Sequence, residues 1–244
     1  MIFLTPSDLV VGLPLGLAKL GLGLPRFALD PCGGDGALRC GLAPFGIDVR
    51  LTDFYPDRYR GADGYVTAQP LDASEPDHLN SALEWAGAGC TAVVTNTPHN
   101  TDEACAIVRN LVALVEAQKV DFVAALFRAI WGAEPGRLPY LNRPSFFGEI
   151  LCCWRPRWIP GTKKSPMHAY AWYVWQKEPR SGPSLKVRVG RRETIAALSH
   201  EHADLVPSAS EPSDCLNSKQ GGHGRMSASD PVKPTLTIEV KAPS

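Results

Sequence analysis

A glycine-rich turn flanked by carboxylates is the part of the sequence whose residue types and spacing most directly suggest chemistry. It is Asp30-Pro31-Cys32-Gly33-Gly34-Asp35-Gly36, and it begins at the end of residues 26–30, a run that predicts a buried strand. Glycines lack β-carbons and therefore let a backbone approach a bound nucleoside closely. The turn has neither the Gly-x-Gly-x-x-Gly spacing nor the Lys-Ser/Thr pair of phosphate-binding loops, and its carboxylates would repel a phosphate but attract an ammonium group. These features favour S-adenosylmethionine over a dinucleotide as the ligand.

Two further acidic residues follow predicted strands, where a nucleoside would need hydrogen-bond acceptors. Asp53 ends residues 47–53, the second predicted strand, about twenty residues after the turn, which suits a carboxylate that binds ribose hydroxyls. Asp72 ends a third element (residues 65–67 with 71–72) and could accept a hydrogen bond from the adenine amino group. Phe54 or Tyr55 could pack against the adenine ring. An ordinary turn without a ligand is the alternative, and these two carboxylates make it the weaker one.

A second candidate site is Asn96-Thr97-Pro98-His99, at the end of the β-branched predicted strand 91–96. Methylation of an amino group needs acceptors that hold its hydrogens so that the nitrogen lone pair points at the methyl group. The Asn96 side-chain oxygen and the Thr97 carbonyl could do this, Pro98 would fix the turn, and His99 could stack on a base that has left its helix. In a doubly wound sheet this position faces the same crevice as the glycine-rich turn. A strand-end turn without function is the alternative.

Chemistry at cytosine C5 is disfavoured. That reaction needs a Pro-Cys nucleophile, and Cys32, which lies inside the glycine-rich turn, is the one cysteine that follows a proline.

The pattern of elements predicts the scaffold that positions these residues. Strands alternate with helices (residues 37–43, 76–85 and 101–118), which indicates a parallel sheet with right-handed crossovers. Two predicted strands lie close together in the sequence near the end of the domain, residues 147–154 and 169–175, which indicates that the last strand is antiparallel. We therefore expect a three-layer, doubly wound α/β domain over residues 1–179. Residues 180–244 form a polar, largely disordered tail, with short strands possible at 185–189 and 235–240.

The charge pattern gives no global argument for a nucleic-acid partner, because the 244 residues have a formal net charge of zero. Locally, however, cationic side chains outnumber acidic ones between Arg128 and Lys164, and aromatic residues are interleaved with them. Arg143, Arg155 and Arg157 are the predicted substrate-binding residues of this region, since arginines suit phosphate contacts and aromatic rings suit base stacking. The alternative is that the aromatic side chains fill the core and the arginines are solvated.

The seven cysteines contain no Cys-x-x-Cys pair, so the sequence predicts neither a disulfide framework nor a zinc site, and a reducing cytoplasm is the expected setting. No metal is expected at Cys152, Cys153 and His168 either, because a third ligand is missing at any usual spacing. Residues 9–24 are apolar but interrupted by Pro14 and Lys19, so we expect neither a signal peptide nor a membrane span.

The sequence resembles the class I S-adenosylmethionine-dependent methyltransferases, whose first motif often runs Asp-Pro-x-x-Gly-x-Gly, as residues 30–36 do. The resemblance covers about residues 5–178 and implies a Rossmann-like, mostly parallel seven-stranded sheet with a reversed last strand. In the amino-methylating branch a Thr-Pro pair near the start helps close the cofactor pocket, and Thr5-Pro6 is similar to that pair. The branch signature Asn/Asp/Ser-Pro-Pro-Tyr/Phe/Trp corresponds to residues 96–99, with departures at Thr97 and His99.

The last predicted strand, residues 169–175, resembles the closing strand of phage-type adenine methyltransferases. The resemblance implies transfer to a nucleic-acid base, most specifically adenine N6 in DNA. Sequence preference should be short or absent, because no insertion large enough for a target-recognition domain interrupts the motifs. Two alternatives stay open at this point: an N-methyltransferase acting on RNA, protein or a small molecule, and a non-catalytic protein that binds S-adenosylmethionine. The oligomeric state is not predicted.

Overall fold

The computed structural model describes residues 5–55, 70–98, 101–158 and 167–199. The structure divides the chain into two units, residues 1–212 and 213–244, and every described residue belongs to the first. The strands are Phe27–Asp30 (β1), Asp48–Leu51 (β2), Ala92–Asn96 (β3), Phe122–Arg128 (β4), Phe146–Cys152 (β5), Tyr170–Gln176 (β6) and Leu185–Val189 (β7). The α-helices are Ser7–Leu20 (α1), Ala37–Leu42 (α2), Pro76–Ala86 (α3), Thr101–Glu116 (α4), Leu138–Leu141 (α5) and Arg191–Leu198 (α6).

The strands form one twisted sheet in the order β2-β1-β3-β4-β6-β5-β7. Strand β6 is antiparallel to β4 and β5, and the other strand pairs are parallel. This order, with one reversed strand, confirms the predicted Rossmann-like class I methyltransferase fold. The reversed strand is the sixth along the chain, and β7 follows it. Of the third predicted element, residues 65–67 lie outside the described residues, and Leu71 and Asp72 are not in a strand.

Two apolar clusters lie on opposite faces of the sheet and make the three layers. One contains the buried faces of α1 and α2, and the other contains those of α3 and α4. Alternation explains this division, because successive residues of a strand point to opposite faces: Val94 belongs to the first cluster, and Val93 belongs to the second. The sheet is thus buried on both sides, as parallel sheets usually are.

Helix α1 is longer than the short helical start expected from the sequence, since it accommodates Pro14 and runs for 14 residues. The apolar stretch after residue 9 is its buried face, which packs against β5. Gly16 permits that contact, because a β-carbon there would lie 2.1 Å from Ile150 Cγ2. Among the described residues, no helix has the length and apolar character needed to cross a membrane.

Strand β7 and helix α6 both follow residue 179, where the sequence analysis placed the end of the domain. Strand β7 pairs with β5 and covers its outer edge, with Leu185 and Val187 half-buried and Val189 buried. The apolar residues alternate with the exposed Lys186 and Arg188, which is the pattern of an edge strand. Helix α6 then packs against α1. The folded region therefore extends to at least residue 199.

Candidate active site

A pocket of about 400 Å³ lies at the carboxyl ends of β1, β2 and β3. This volume is in the range of small-molecule sites, and the carboxyl edge of a doubly wound sheet is where ligands usually bind. Most of the residues predicted for the cofactor and the acceptor line it. They are Thr5, Asp30, Pro31, Gly33, Gly34, Asp53, Phe54, Asp72, Asn96, Thr97 and Pro98.

Two described residues that were predicted to bind the cofactor, Pro6 and Gly36, do not line the pocket. Pro6 precedes α1, and Gly36, in the left-handed conformation at φ +85°, precedes α2. His99, the predicted stacking residue, lies outside the described residues. Its role therefore stays a prediction.

The glycine-rich turn is fixed against the end of β2. The Gly33 N–H donates to the Thr52 carbonyl at 2.9 Å, and a β-carbon at Gly33 would lie 2.9 Å from Leu51 Cβ. Gly34 has a left-handed backbone (φ +54°), which favours glycine. The close approach of the turn to β2 thus depends on Gly33, the course of the turn depends on Gly34, and both glycines lie at the pocket wall.

Asp53 connects the turn to the end of β2. Its Oδ2 accepts a hydrogen bond from the Gly34 N–H at 3.0 Å, and its Oδ1 accepts one from the Tyr55 N–H at 2.7 Å. The two bonds fix the carboxylate in one orientation at the pocket wall, where it is 8% exposed. Each carboxylate oxygen can accept more than one hydrogen bond, so both retain acceptor capacity for hydroxyl groups.

Asp72 caps the loop that leads into α3. Its Oδ1 accepts hydrogen bonds from the Ser74 N–H at 2.8 Å and from the Ser74 hydroxyl at 2.7 Å. Asn110 on α4 donates through Nδ2 to the carbonyls of Ala73 (3.2 Å) and Ser74 (2.7 Å). Asn110 is therefore a buried tether that holds the Asp72 loop against α4, and no motif or residue spacing indicated it.

Asp30, at the end of β1, is 1% exposed and accepts a hydrogen bond from the Cys32 N–H at 3.1 Å. The pKa of Asp30 is raised from 3.8 to about 7, mainly by burial and to a smaller extent by the nearby carboxylates of Asp53 and Asp35. The Thr95 hydroxyl lies close enough to lower this pKa in part, although its Oγ1 makes no hydrogen bond of good geometry. A positive group in the pocket would favour the ionised form of Asp30.

Asn96 is the last residue of β3, and only one end of its side-chain amide has a hydrogen-bond partner in the described part of the chain. Its Nδ2 donates to Thr5 Oγ1 at 3.0 Å, whereas its Oδ1 has no hydrogen-bond partner among the described residues. The backbone of β3 places Asn96 opposite Leu126 of β4, so it lies at the carboxyl edge near the glycine-rich turn. This oxygen is itself buried, and buried amide oxygens are normally satisfied, so an unpartnered one on a pocket-lining residue calls for a partner that the described residues do not supply.

The charge of the pocket is strongly one-sided. Five carboxylates line it, from Asp30, Asp35, Asp53, Asp72 and Glu103, and no lining residue among those described is basic. Such a site disfavours a phosphate-bearing dinucleotide and suits a ligand with cationic groups.

The sequence analysis missed Glu103 and Ile107, the two pocket residues that α4 contributes. They could have been found, because the loop between β3 and α4 is short and α4 must therefore begin at the same edge of the sheet.

The predicted substrate-binding arginines do not line the pocket, and they lie in two different places. Arg143 pairs with Glu116 (Nη1 to Oε2, 3.2 Å) and donates through Nε to the Pro139 carbonyl. Glu116 ends α4, whereas Glu103 near its start lines the pocket, so Arg143 lies about 20 Å away at the opposite edge of the sheet. The expectation for Arg143 is therefore withdrawn. Arg155 and Arg157 are exposed beyond the end of β5, on the same edge as the pocket.

No family model matches the sequence, and no curated protein matches it. Solved structures with a similar backbone include a DNMT2 variant from Spodoptera frugiperda (12% identity, 67% of this chain and 55% of that chain, TM-score 0.42). This chain thus spans about half the length of the DNMT2 chain.

Two other similar structures are Thermoplasma acidophilum 1320 and the rRNA methyltransferase AviRa from Streptomyces viridochromogenes. The first has 14% identity over 72% of this chain and 97% of that chain, with a TM-score of 0.42. The second has 14% identity over 71% of this chain and 85% of that chain, with a TM-score of 0.37. Backbone similarity at these identities and TM-scores says nothing about activity or substrate. Evidence on both comes from the pocket.

Proposed function

We propose that this protein is an S-adenosylmethionine-dependent amino-methyltransferase that acts on a nucleic-acid base, with adenine N6 in DNA as the preferred acceptor. The observation that carries the proposal is the placement of Asn96. Its amide oxygen is buried without a hydrogen-bond partner among the described residues, and Asn96 lines the same pocket as the glycine-rich turn, Asp53 and Asp72. A donor site and an amine-orienting group therefore meet at one sheet edge.

The residues of the pocket fit S-adenosylmethionine. The carboxylates suit its ammonium and sulfonium charges, Asp53 has acceptor capacity for the ribose hydroxyls, and Asp72 for the adenine amino group. Phe54, 45% exposed at the pocket, offers a face for the adenine ring. When bound, the cofactor supplies an electrophilic methyl group on a sulfonium sulfur. Thr5 would help to close the pocket over it.

Asn96 orients the acceptor amine in this proposal. The hydrogen bond from its Nδ2 to Thr5 fixes the amide so that Oδ1 is the group left to accept an amino hydrogen. The Thr97 carbonyl accepts the second hydrogen, and the nitrogen lone pair then points at the methyl group. Pro98 restricts the backbone at the pocket wall. No covalent intermediate with the protein is needed.

A nucleic-acid acceptor is supported by the exposed Arg155 and Arg157 on the pocket edge of the sheet, because arginines without carboxylate partners suit phosphate groups. The resemblance of the sequence to phage-type adenine methyltransferases is the basis for proposing adenine N6 in DNA as the acceptor.

The test is methyl transfer from labelled S-adenosylmethionine to DNA, RNA and protein in parallel. We expect label on DNA, and we expect Asn96→Ala to lower turnover by about 100-fold or more, the usual effect of losing one orienting group in an active site. Asn96→Asp, which keeps an acceptor oxygen, should retain more activity than Asn96→Ala. Asn142→Ala is the matched control, since Asn142 is exposed at the end of α5.

Cofactor affinity, measured by calorimetry, separates a catalytic role of Asn96 from a structural one. We expect the dissociation constant of S-adenosylmethionine to change by less than about threefold in Asn96→Ala, because most of the cofactor contacts lie elsewhere. Unchanged turnover in Asn96→Ala would remove Asn96 from its role. A wild-type protein that binds the cofactor but labels neither DNA nor RNA would refute the proposed acceptor.

A further inference from the structure

The carboxyl edge of the sheet continues from the pocket across β4, β6 and β5 as one row of residues. Asn96 pairs with Leu126 of β4, and two residues further along this strand Arg128 pairs with Tyr170 of β6. Tyr170 in turn pairs with Cys152, the last residue of β5. The segment that carries Arg155, Arg157 and Trp158 follows directly. The row therefore leads from the acceptor site to the exposed arginines.

Among the described residues, the arginines of this row have no carboxylate partner. Arg128, Arg155 and Arg157 are all exposed, and none forms an ion pair with a described carboxylate. Burial raises the pKa of Tyr170, and the Arg128 guanidinium, which lies beside the Tyr170 hydroxyl, offsets part of that rise. By contrast, Arg137 and Arg143 are paired with Glu134 and Glu116.

Aromatic and apolar side chains accompany these arginines. Trp158 is half-buried and packs against Tyr170, with ring centroids 4.9 Å apart. Ile130, just after β4, is 61% exposed, and Met167, just before β6, is 76% exposed. Both lie at the same edge, because β6 runs antiparallel to β4. Exposed apolar groups between unpaired arginines are the composition of surfaces that contact bases and phosphates together.

We infer that this row, defined by Arg128, Arg155, Arg157 and Trp158, binds a single-stranded polynucleotide whose target base enters the Asn96 pocket. The inference rests on the proposed function and specifies the form of its substrate. Three inter-strand spacings separate β3 from β5, about 14 Å, which is the length of about four stacked nucleotides. A single row of arginines fits one phosphate backbone, whereas a duplex presents two and shields its base faces from Trp158, Ile130 and Met167.

The test is fluorescence anisotropy with a labelled 12-nucleotide single strand, without cofactor, as salt is varied. We expect the triple variant R128Q/R155Q/R157Q to bind about 100-fold more weakly at 0.1 M salt. The slope of log affinity against log salt should become shallower by about 2, since each phosphate contact to a single strand contributes about 0.7. Wild-type protein should bind the matching duplex at least tenfold more weakly than the single strand.

The matched control is R26Q/R143Q/R180Q, which removes the same charge from the opposite edge of the sheet. It should bind within about twofold of wild type. The inference would be overturned if both triple variants lost the same affinity, or if R128Q/R155Q/R157Q lost none. Equal affinity of the wild-type protein for duplex and single strand would also overturn it. Measurements with a DNA strand and an RNA strand of the same sequence show which of the two polynucleotides the surface binds more tightly. Both triple variants must show the wild-type unfolding transition.

The two proposals fail in distinguishable ways. Transfer of label to DNA or RNA that depends on Asn96, with no loss of single-strand binding in R128Q/R155Q/R157Q, would refute the surface and leave the methyltransferase proposal intact. Binding that depends on the three arginines, without transfer to any acceptor, would refute the methyltransferase proposal and leave the surface intact.

Discussion

Replacement of Asp30 by asparagine should make the protein without cofactor more stable at alkaline pH. Asp30 is buried at the end of β1, and burial raises its pKa to about 7. Above that pH the folded protein must hold a desolvated carboxylate, which the substitution would replace with a neutral amide of the same size. The amide oxygen can still accept the Cys32 N–H, and the amide nitrogen can donate to the Thr95 hydroxyl, which lies nearby without a hydrogen bond of good geometry.

The magnitude follows from the difference between the folded and unfolded pKa values of Asp30. The pKa rises from 3.8 to about 7, which at about 1.4 kcal/mol per unit corresponds to about 4 kcal/mol. Between these two values the unfolded chain has lost the proton and the folded protein retains it, so stability falls as pH rises. The cost is therefore absent below pH 4, grows from pH 4 to 7, and is complete above pH 7.

Urea unfolding of wild type and Asp30→Asn from pH 4 to 8.5 measures this cost. The free energies of unfolding should be nearly equal at pH 4, and the variant should be more stable by about 4 kcal/mol at pH 8.5. Asp48→Asn is the control, because Asp48 is exposed on β2, and its curve should follow that of wild type. A constant difference between Asp30→Asn and wild type at every pH would refute the assignment of a buried proton to Asp30.

Two further predictions concern the packing of α1 and the tether of the Asp72 loop. Gly16→Ala should lower the free energy of unfolding by about 1–3 kcal/mol in urea titrations, because its β-carbon would overlap Ile150; Gly23→Ala, whose β-carbon meets nothing within 4 Å, should change it far less. Asn110→Ala should lower stability by about 1–3 kcal/mol and also weaken binding of S-adenosylmethionine in calorimetry, since the loop that carries Asp72 loses its tether. A loss of stability without any loss of affinity would show that the tether does not position Asp72.

The turn and strand ends of the site could be predicted from the sequence because their requirements are local. Gly33 is needed where the backbone passes close to β2, and Gly34 is needed because the turn has a left-handed φ there. The carboxyl ends of parallel strands share one edge, so Asp53 and Asn96 could be assigned to one pocket from their positions after predicted strands.

Other features depend on contacts between distant segments and left no local signal. Arg143 belonged to a cluster of positive charge in the sequence, but α4 separates it from the pocket and Glu116 pairs with it. Strand β7 was predicted only as a short strand within a polar tail, because an edge strand with exposed Lys186 and Arg188 has few apolar residues. Its pairing with β5 depends on the register of the whole sheet.

The most direct test of the central claim is identification of the methylated product. Wild-type protein, S-adenosylmethionine and an adenine-containing single strand are incubated, and the digested nucleosides are analysed by mass spectrometry. We predict N6-methyladenine from wild type and from Asn142→Ala, and at least 100-fold less from Asn96→Ala. Cofactor binding with no methylated nucleoside of any kind would contradict the account.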